Sequence, residues 1–166
     1  MRAIKVLIVD DEPDFTDILT DRLRSWGFVA SSAANGAEAM EALAVSRPDV
    51  VILSLRAGHG HELETLSMIK NQDPAIEVLL LTGKGTALAG MQGIERGAFD
   101  CLPQPIELGV LIEKIRLAHA RHRPELGSNG VGMALLLPVL SAGSGSEWLS
   151  SLLVCLQAFS ESIILL

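Results

Sequence analysis

IKVLIVDDEPD, residues 4–14, is a short apolar run that ends in two aspartates, a glutamate and a proline. A run this brief and this apolar suits a strand covered on both faces of a parallel sheet. Pro13 suits the first turn of a helix that follows at once. In an open α/β sheet, residues at the carboxyl ends of neighbouring strands pool into one site, so Asp10 and Asp11 promise an acidic pocket. A second run, VVILSLRAGHG at residues 50–60, brings Ser54 and then a loop rich in glycine and histidine.

The same alternation of short apolar runs and longer amphipathic stretches continues from residue 4 to about 121, the mark of a parallel sheet flanked by helices. Strands are predicted near IKVLIV, FVASSA, DVVILS, IEVLLLT and FDCL. Helices are predicted from Pro13 to about Trp26, Gly36 to Ser46, Glu62 to Asn71, Thr86 to Arg96, and Ile106 to about Arg121. Gly27 and Gly97 suit helix exits, while Pro48 and Pro74 block continuation of the second and third helices. In the first helix, Phe15, Ile18, Leu19, Leu23 and Trp26 recur at spacings of three and four, which predicts one face packed on the sheet.

With 166 residues, 49% of them hydrophobic, the chain has material for a sizeable core plus an appendage. A net charge of -7 argues against a grip on phosphate backbones or anionic membrane, so no nucleic acid partner is expected. Cys101 and Cys155 show no CxxC spacing, and neither a disulfide framework nor a zinc site is indicated. Only VLIV separates Lys5 from Asp10, too short for a signal peptide's apolar segment; a cytoplasmic protein is expected.

Composition changes after Arg123, beyond which none of the 13 Lys and Arg residues lies. The division expected is a domain over 1–122, a linker over 123–146, and an amphipathic helix or disordered tail over 147–166. Trp148, Leu149, Leu152, Leu156, Phe159 and Ile163 would share one face of that helix. Glu161, Gln157 and four serines argue against a membrane span. Docking on the domain, a homodimer contact and a tail that never orders remain alternatives.

Two carboxylates following a buried strand repel one another and resist burial, a conflict that a hard divalent cation resolves. The alternative is that both simply favour the positive end of the next helix.

VLIVDDEP, VVILSL, LLLTG and GAFDCLPQP, in that order and spacing, resemble the receiver domain of bacterial two-component response regulators over residues 4 to about 121. The resemblance implies a flavodoxin-like (βα)5 three-layer sandwich with parallel sheet order 2-1-3-4-5, followed here by a C-terminal extension. It also implies a site in which an acidic pair binds magnesium, a third aspartate accepts a phosphoryl group from a histidine kinase, a Thr or Ser contacts that group, and a Lys pairs with it. Asp10 and Asp11 match the acidic pair, Thr82 matches the hydroxyl residue, and Arg56 stands where a backbone carbonyl joins the metal.

Several positions depart from that pattern. Ser54 replaces the phosphoacceptor aspartate, Gln104 the lysine, and Cys101 the aromatic residue often used as a conformational switch; RAGHGHE replaces the usual MPGMDG. A serine hydroxyl needs a base to become a nucleophile, and none is evident in the sequence. Loss of the third carboxylate implies only weak Mg2+ binding, and no other cofactor is expected. Ser54 removes one negative charge and Gln104 one positive charge, so both partners of an ion pair are gone together. That exchange costs far less than losing one. A neutral hydrogen-bond network of Ser54, Thr82 and Gln104 is expected in its place.

The reading reached is a receiver-like protein of two-component phosphorelay signalling. It is expected not to be phosphorylated, not to be an enzyme, and to act by contact with a histidine kinase or another regulator. Because no effector domain is seen to follow, output is expected through that partner, at the face of the fourth helix, fifth strand and fifth helix. The alternatives are a phosphorylatable receiver with a non-standard acceptor and a small-ligand-binding flavodoxin-like module. TGKGT, residues 82–86, lacks the rest of a phosphate-binding loop and reads as a turn opening the fourth helix. The His59 and His61 pair does not complete a metal site.

Overall fold

A computed structural model of the chain describes residues 2–56 and 61–121. His59 and the readings made for 123–166, Cys155 included, lie outside the described residues. Five parallel strands, β1 (Lys5–Val9), β2 (Val29–Ala33), β3 (Val50–Leu55), β4 (Glu77–Thr82) and β5 (Asp100–Pro103), form one sheet in the order β2-β1-β3-β4-β5. Helices α1 (Pro13–Ser25), α2 (Gly36–Ser46), α3 (Glu62–Gln72), α4 (Ala87–Glu95) and α5 (Leu108–Arg121) follow the strands in turn. This is the flavodoxin-like architecture.

Every residue of β3 and β4 is buried, which is why VVILSL and EVLLLT carry no polar alternation. Val6 and Ile8, Val50 and Ile52, and Leu79 and Leu81 lie in a core with Leu19 and Leu23 of α1 and Leu111, Ile112 and Ile115 of α5. Successive strand side chains point to opposite faces. Leu7, Val51, Leu53 and Leu80 therefore belong to the other face, and they too are buried.

The helix ends follow from their residues. Pro13 opens α1, and Gly27 and Gly97 leave α1 and α4 at φ +86° and +95°, backbone that a side chain would strain. Asn35 caps α2 by accepting from Glu38 N at 3.0 Å, and the Glu38 carboxylate accepts from Ala34 N at 2.9 Å. The α1 stripe differs from expectation. Leu19 and Leu23 are buried and Phe15 packs at the core's edge, but Ile18 and Trp26 are 58% and 53% exposed. The buried face is centred on Thr16, Leu19, Thr20 and Leu23; Ile18 lies off it, and Trp26 is the residue at which the helix ends.

Candidate functional site

Sheet register assembles the site. Val9 lies opposite Leu53, so the residues that follow, Asp10 and Ser54, come side by side; Leu55 lies opposite Thr82, and Thr82 opposite Pro103, one residue before Gln104. Asp10 N donates to Ala33 O at 3.1 Å and Gln104 N to Thr82 O at 2.7 Å, extending the ladders beyond the strands proper. A cleft of about 420 Å³ opens there, lined in part by Asp10, Glu12, Ser54, Arg56, Lys84 and Gln104.

Arg56 dominates the cleft. Its Nε lies 2.9 Å from Asp11 Oδ1, and its Nη2 lies 3.1 Å from Asp10 Oδ1 and 2.8 Å from Glu12 Oε2. Asp10 Oδ1 also accepts from Glu12 N at 2.8 Å, so the buried carboxylate, 3% exposed, has two donors on one oxygen. Partial burial of the guanidinium works against its charge, but Asp10, Asp11 and Glu12 outweigh it and raise the Arg56 pKa above its ordinary value. The backbone N of Arg56 donates to Glu62 Oε1 at 3.4 Å, linking the end of β3 to the first turn of α3.

The expected neutral network does not form. Ser54 is only 6% exposed, and its Oγ has no hydrogen-bond partner among the described residues. Thr82 Oγ1 donates to Leu102 O of β5 at 3.4 Å, and Cys101 Sγ donates to Thr82 Oγ1 at 3.7 Å. Ser54 pairs with Leu81, and Thr82 pairs with Leu55, one step along the sheet. Gln104 lies beyond this pairing, exposed, with Oε1 near Gly83. Cys101 is buried beneath α4, where a Cβ on Gly90 would come 2.5 Å from its sulfur.

The sequence pattern of the response regulator receiver domain matches residues 6–116, two-thirds of the chain. The chain belongs to the response regulator receiver family. It is 34% identical over 136 residues to the response regulator PilR of Pseudomonas aeruginosa, an alignment covering 82% of this chain but 31% of PilR. It is 28% identical over 152 residues to the response regulator MprA of Mycobacterium leprae, covering 89% of this chain and 67% of MprA. Among solved structures, a receiver domain protein from Clostridium thermocellum superposes with a TM-score of 0.67 at 26% identity, covering 71% of this chain and 95% of its own. The receiver domain of NtrX from Brucella abortus gives 0.65 at 28% identity, covering 69% and 98%.

Receiver family membership implies a magnesium ion between the acidic residues, and the donor set of this receiver domain does not fit one. Ser54 offers a hydroxyl in place of the third carboxylate, and Arg56 already holds an oxygen of both Asp10 and Asp11. Among the described residues, no three His, Cys, Asp or Glu side chains are grouped to hold a metal. Arg56, expected to act through its backbone carbonyl, reaches the acids with its side chain. Glu12, Lys84 and Thr86 are cleft residues that the sequence reading did not single out. Glu12 carried a signal, being contiguous with the acidic pair. Thr86 Oγ1 accepts from Gly83 N at 2.9 Å and closes the turn that opens α4, as expected for TGKGT. His61 is exposed, its Nδ1 3.4 Å from Glu64.

Proposed function

We propose that this receiver domain is a pseudo-receiver of two-component phosphorelay signalling, acting by protein contact without being phosphorylated and without catalysis of its own. The observation that carries the reading is the Ser54 hydroxyl, buried and unpartnered among the described residues at the position of the family's acceptor aspartate. Among the described residues no base accepts its proton, so its nucleophilicity stays low. Gln104, moreover, offers no positive charge to an incoming phosphoryl group.

A contact role is supported by the exposed apolar side chains of the last two described helices: Leu88, 68% exposed, and Met91 on α4, Val110 and Leu117 on α5. Large apolar groups left in water suit a protein partner, and the proposed one is a histidine kinase or another regulator. A net charge of -7 disfavours nucleic acid and anionic membrane, and among the described residues no helix is long and apolar enough to cross a bilayer. A cytoplasmic setting suits this reading. Incubation of the full chain with acetyl phosphate and magnesium, followed by intact-mass measurement, tests it. The mass is expected to stay unchanged, and uptake of a phosphoryl group would overturn the proposal.

A further inference from the structure

We propose that the Arg56 guanidinium is a tethered replacement for the divalent cation of the receiver site, holding Asp10, Asp11 and Glu12 so that the chain needs no Mg2+ and does not take it up. The inference goes beyond the proposed function: it shares Ser54 with that reading but is carried by the contacts of Arg56 with the three acids.

Three contacts from one planar fork meet three carboxylates on the β1–α1 junction. The two from Nη2, to Asp10 and Glu12, are charge-assisted hydrogen bonds, about twice as strong as neutral ones, the one from Nε to Asp11 is an ion pair, and the guanidinium is permanently charged. A magnesium ion would need the oxygens that Nε and Nη2 occupy, yet it would meet Ser54 where a further carboxylate completes the donor set. Binding would therefore expel Arg56 and gain an incomplete shell.

The leash matters as much as the charge. Arg56 leaves the strand end directly, one residue past β3, so its guanidinium is presented to the acids at high effective concentration whatever the ionic composition. The fork also ties the end of β3 to the start of α1, a link that an exchangeable ion would make only when present. A buried Asp10 beside Asp11 requires some cation, and here the chain supplies its own.

Calorimetric titration of MgCl2 into the full chain, with thermal melts in MgCl2 against NaCl of equal ionic strength, reads the inference directly. The parent chain is expected to give no binding heat and the same Tm in both salts. Arg56→Ala is expected to lose Tm in NaCl, recover part of it in MgCl2, and bind Mg2+ at least about tenfold tighter than the parent. Arg56→Lys, which keeps the charge but not the fork, is expected to fall between them. Mg2+ binding by the parent as tight as by Arg56→Ala would overturn the proposal, as would an Arg56→Ala chain indifferent to Mg2+. Should Arg56→Ala fail to fold in either salt, the parent titration still decides: binding there refutes the proposal, and its absence together with a magnesium response in Arg56→Lys upholds it.

Discussion

Ser54 and Arg56 stand two positions apart at the end of β3 and alter different parts of one site. Ser54 stands where the family's acceptor aspartate is expected, while Arg56 places its guanidinium against the acids. On the proposed reading, phosphoryl uptake is expected to need more than one change. Ser54→Asp alone is expected to take up phosphoryl from acetyl phosphate very slowly, because Gln104 gives the phosphoryl group no cation. Adding Gln104→Lys is expected to speed uptake, and adding Arg56→Ala as well to make it faster and magnesium-dependent. Intact-mass time courses on the three variants check the order, and equal rates in all three would contradict it. Asp10, Asp11 and Ser54 stood out in the sequence because apolar strand runs end at them, whereas Thr82 and Gln104 came from the resemblance to the receiver family; the structure places all five at or just beyond strand carboxyl ends. The reach of the Arg56 side chain was not legible. It depends on the register that sets β3 against β1, which no local pattern of residues encodes.

Among the elements, α4 depends most on small side chains. A Cβ on Gly90 would lie 2.5 Å from Cys101 Sγ and 2.9 Å from Thr82 Cγ2, both on buried residues, so the helix sits on the sheet at a distance only glycine permits. Gly90→Ala gains about 1 kcal/mol of helix propensity but overpacks the contact by about 1–3 kcal/mol, and a net loss near 1 kcal/mol is expected. Gly109→Ala in α5 meets only Glu107 Oε1, at an ordinary 3.5 Å, and is expected to gain about 0.5 kcal/mol. Urea midpoints of the two variants should shift in opposite directions; a stabilised Gly90→Ala would show that Cys101 moves aside freely. Helix periodicity placed all five helices to within about two residues at each end. It misjudged which way α1 faces, because spacing identifies an apolar stripe while the sheet selects the face, and here Thr16 and Thr20 went inward in place of Ile18 and Trp26.

At the scale of the whole sheet, the buried carboxylates among the described residues lie at its two ends. At the amino ends of the strands lie Asp49, Glu77 and Asp100, each buried and each paired: Asp49 with Arg2 and with Lys5 N at 2.9 Å, Asp100 with Lys114, and Glu77 with Lys70 at 3.7 Å and Arg121 at 3.4 Å. Burial lowers the Lys70 pKa, Glu77 only partly offsets it, and Arg121 adds to the lowering. Glu77→Gln is expected to destabilise the fold by about 2 kcal/mol at neutral pH, less than for a fully buried pair because Lys70 keeps the carbonyls of Pro74 and Ile76. The folded state holds the Lys70 proton less firmly than the unfolded chain, so this group's contribution to stability rises as pH climbs from its lowered folded value to the unfolded value of about 10.4. In Glu77→Gln that rise begins at lower pH, and the stability gap from the parent should narrow as the pH climbs toward the unfolded value of about 10.4. A gap independent of pH in urea melts would exclude the linkage. Sequence by itself determined the alternation of strands and helices, the parallel sheet and the residues at its carboxyl ends, because apolar runs and helix punctuation are local properties of the chain. Only the tertiary structure decided that Arg56 clasps three carboxylates, that the Ser54 hydroxyl has no hydrogen-bond partner among the described residues, and that α4 lies close upon Cys101. Those outcomes depend on distances between segments far apart in sequence, which packing and register fix together.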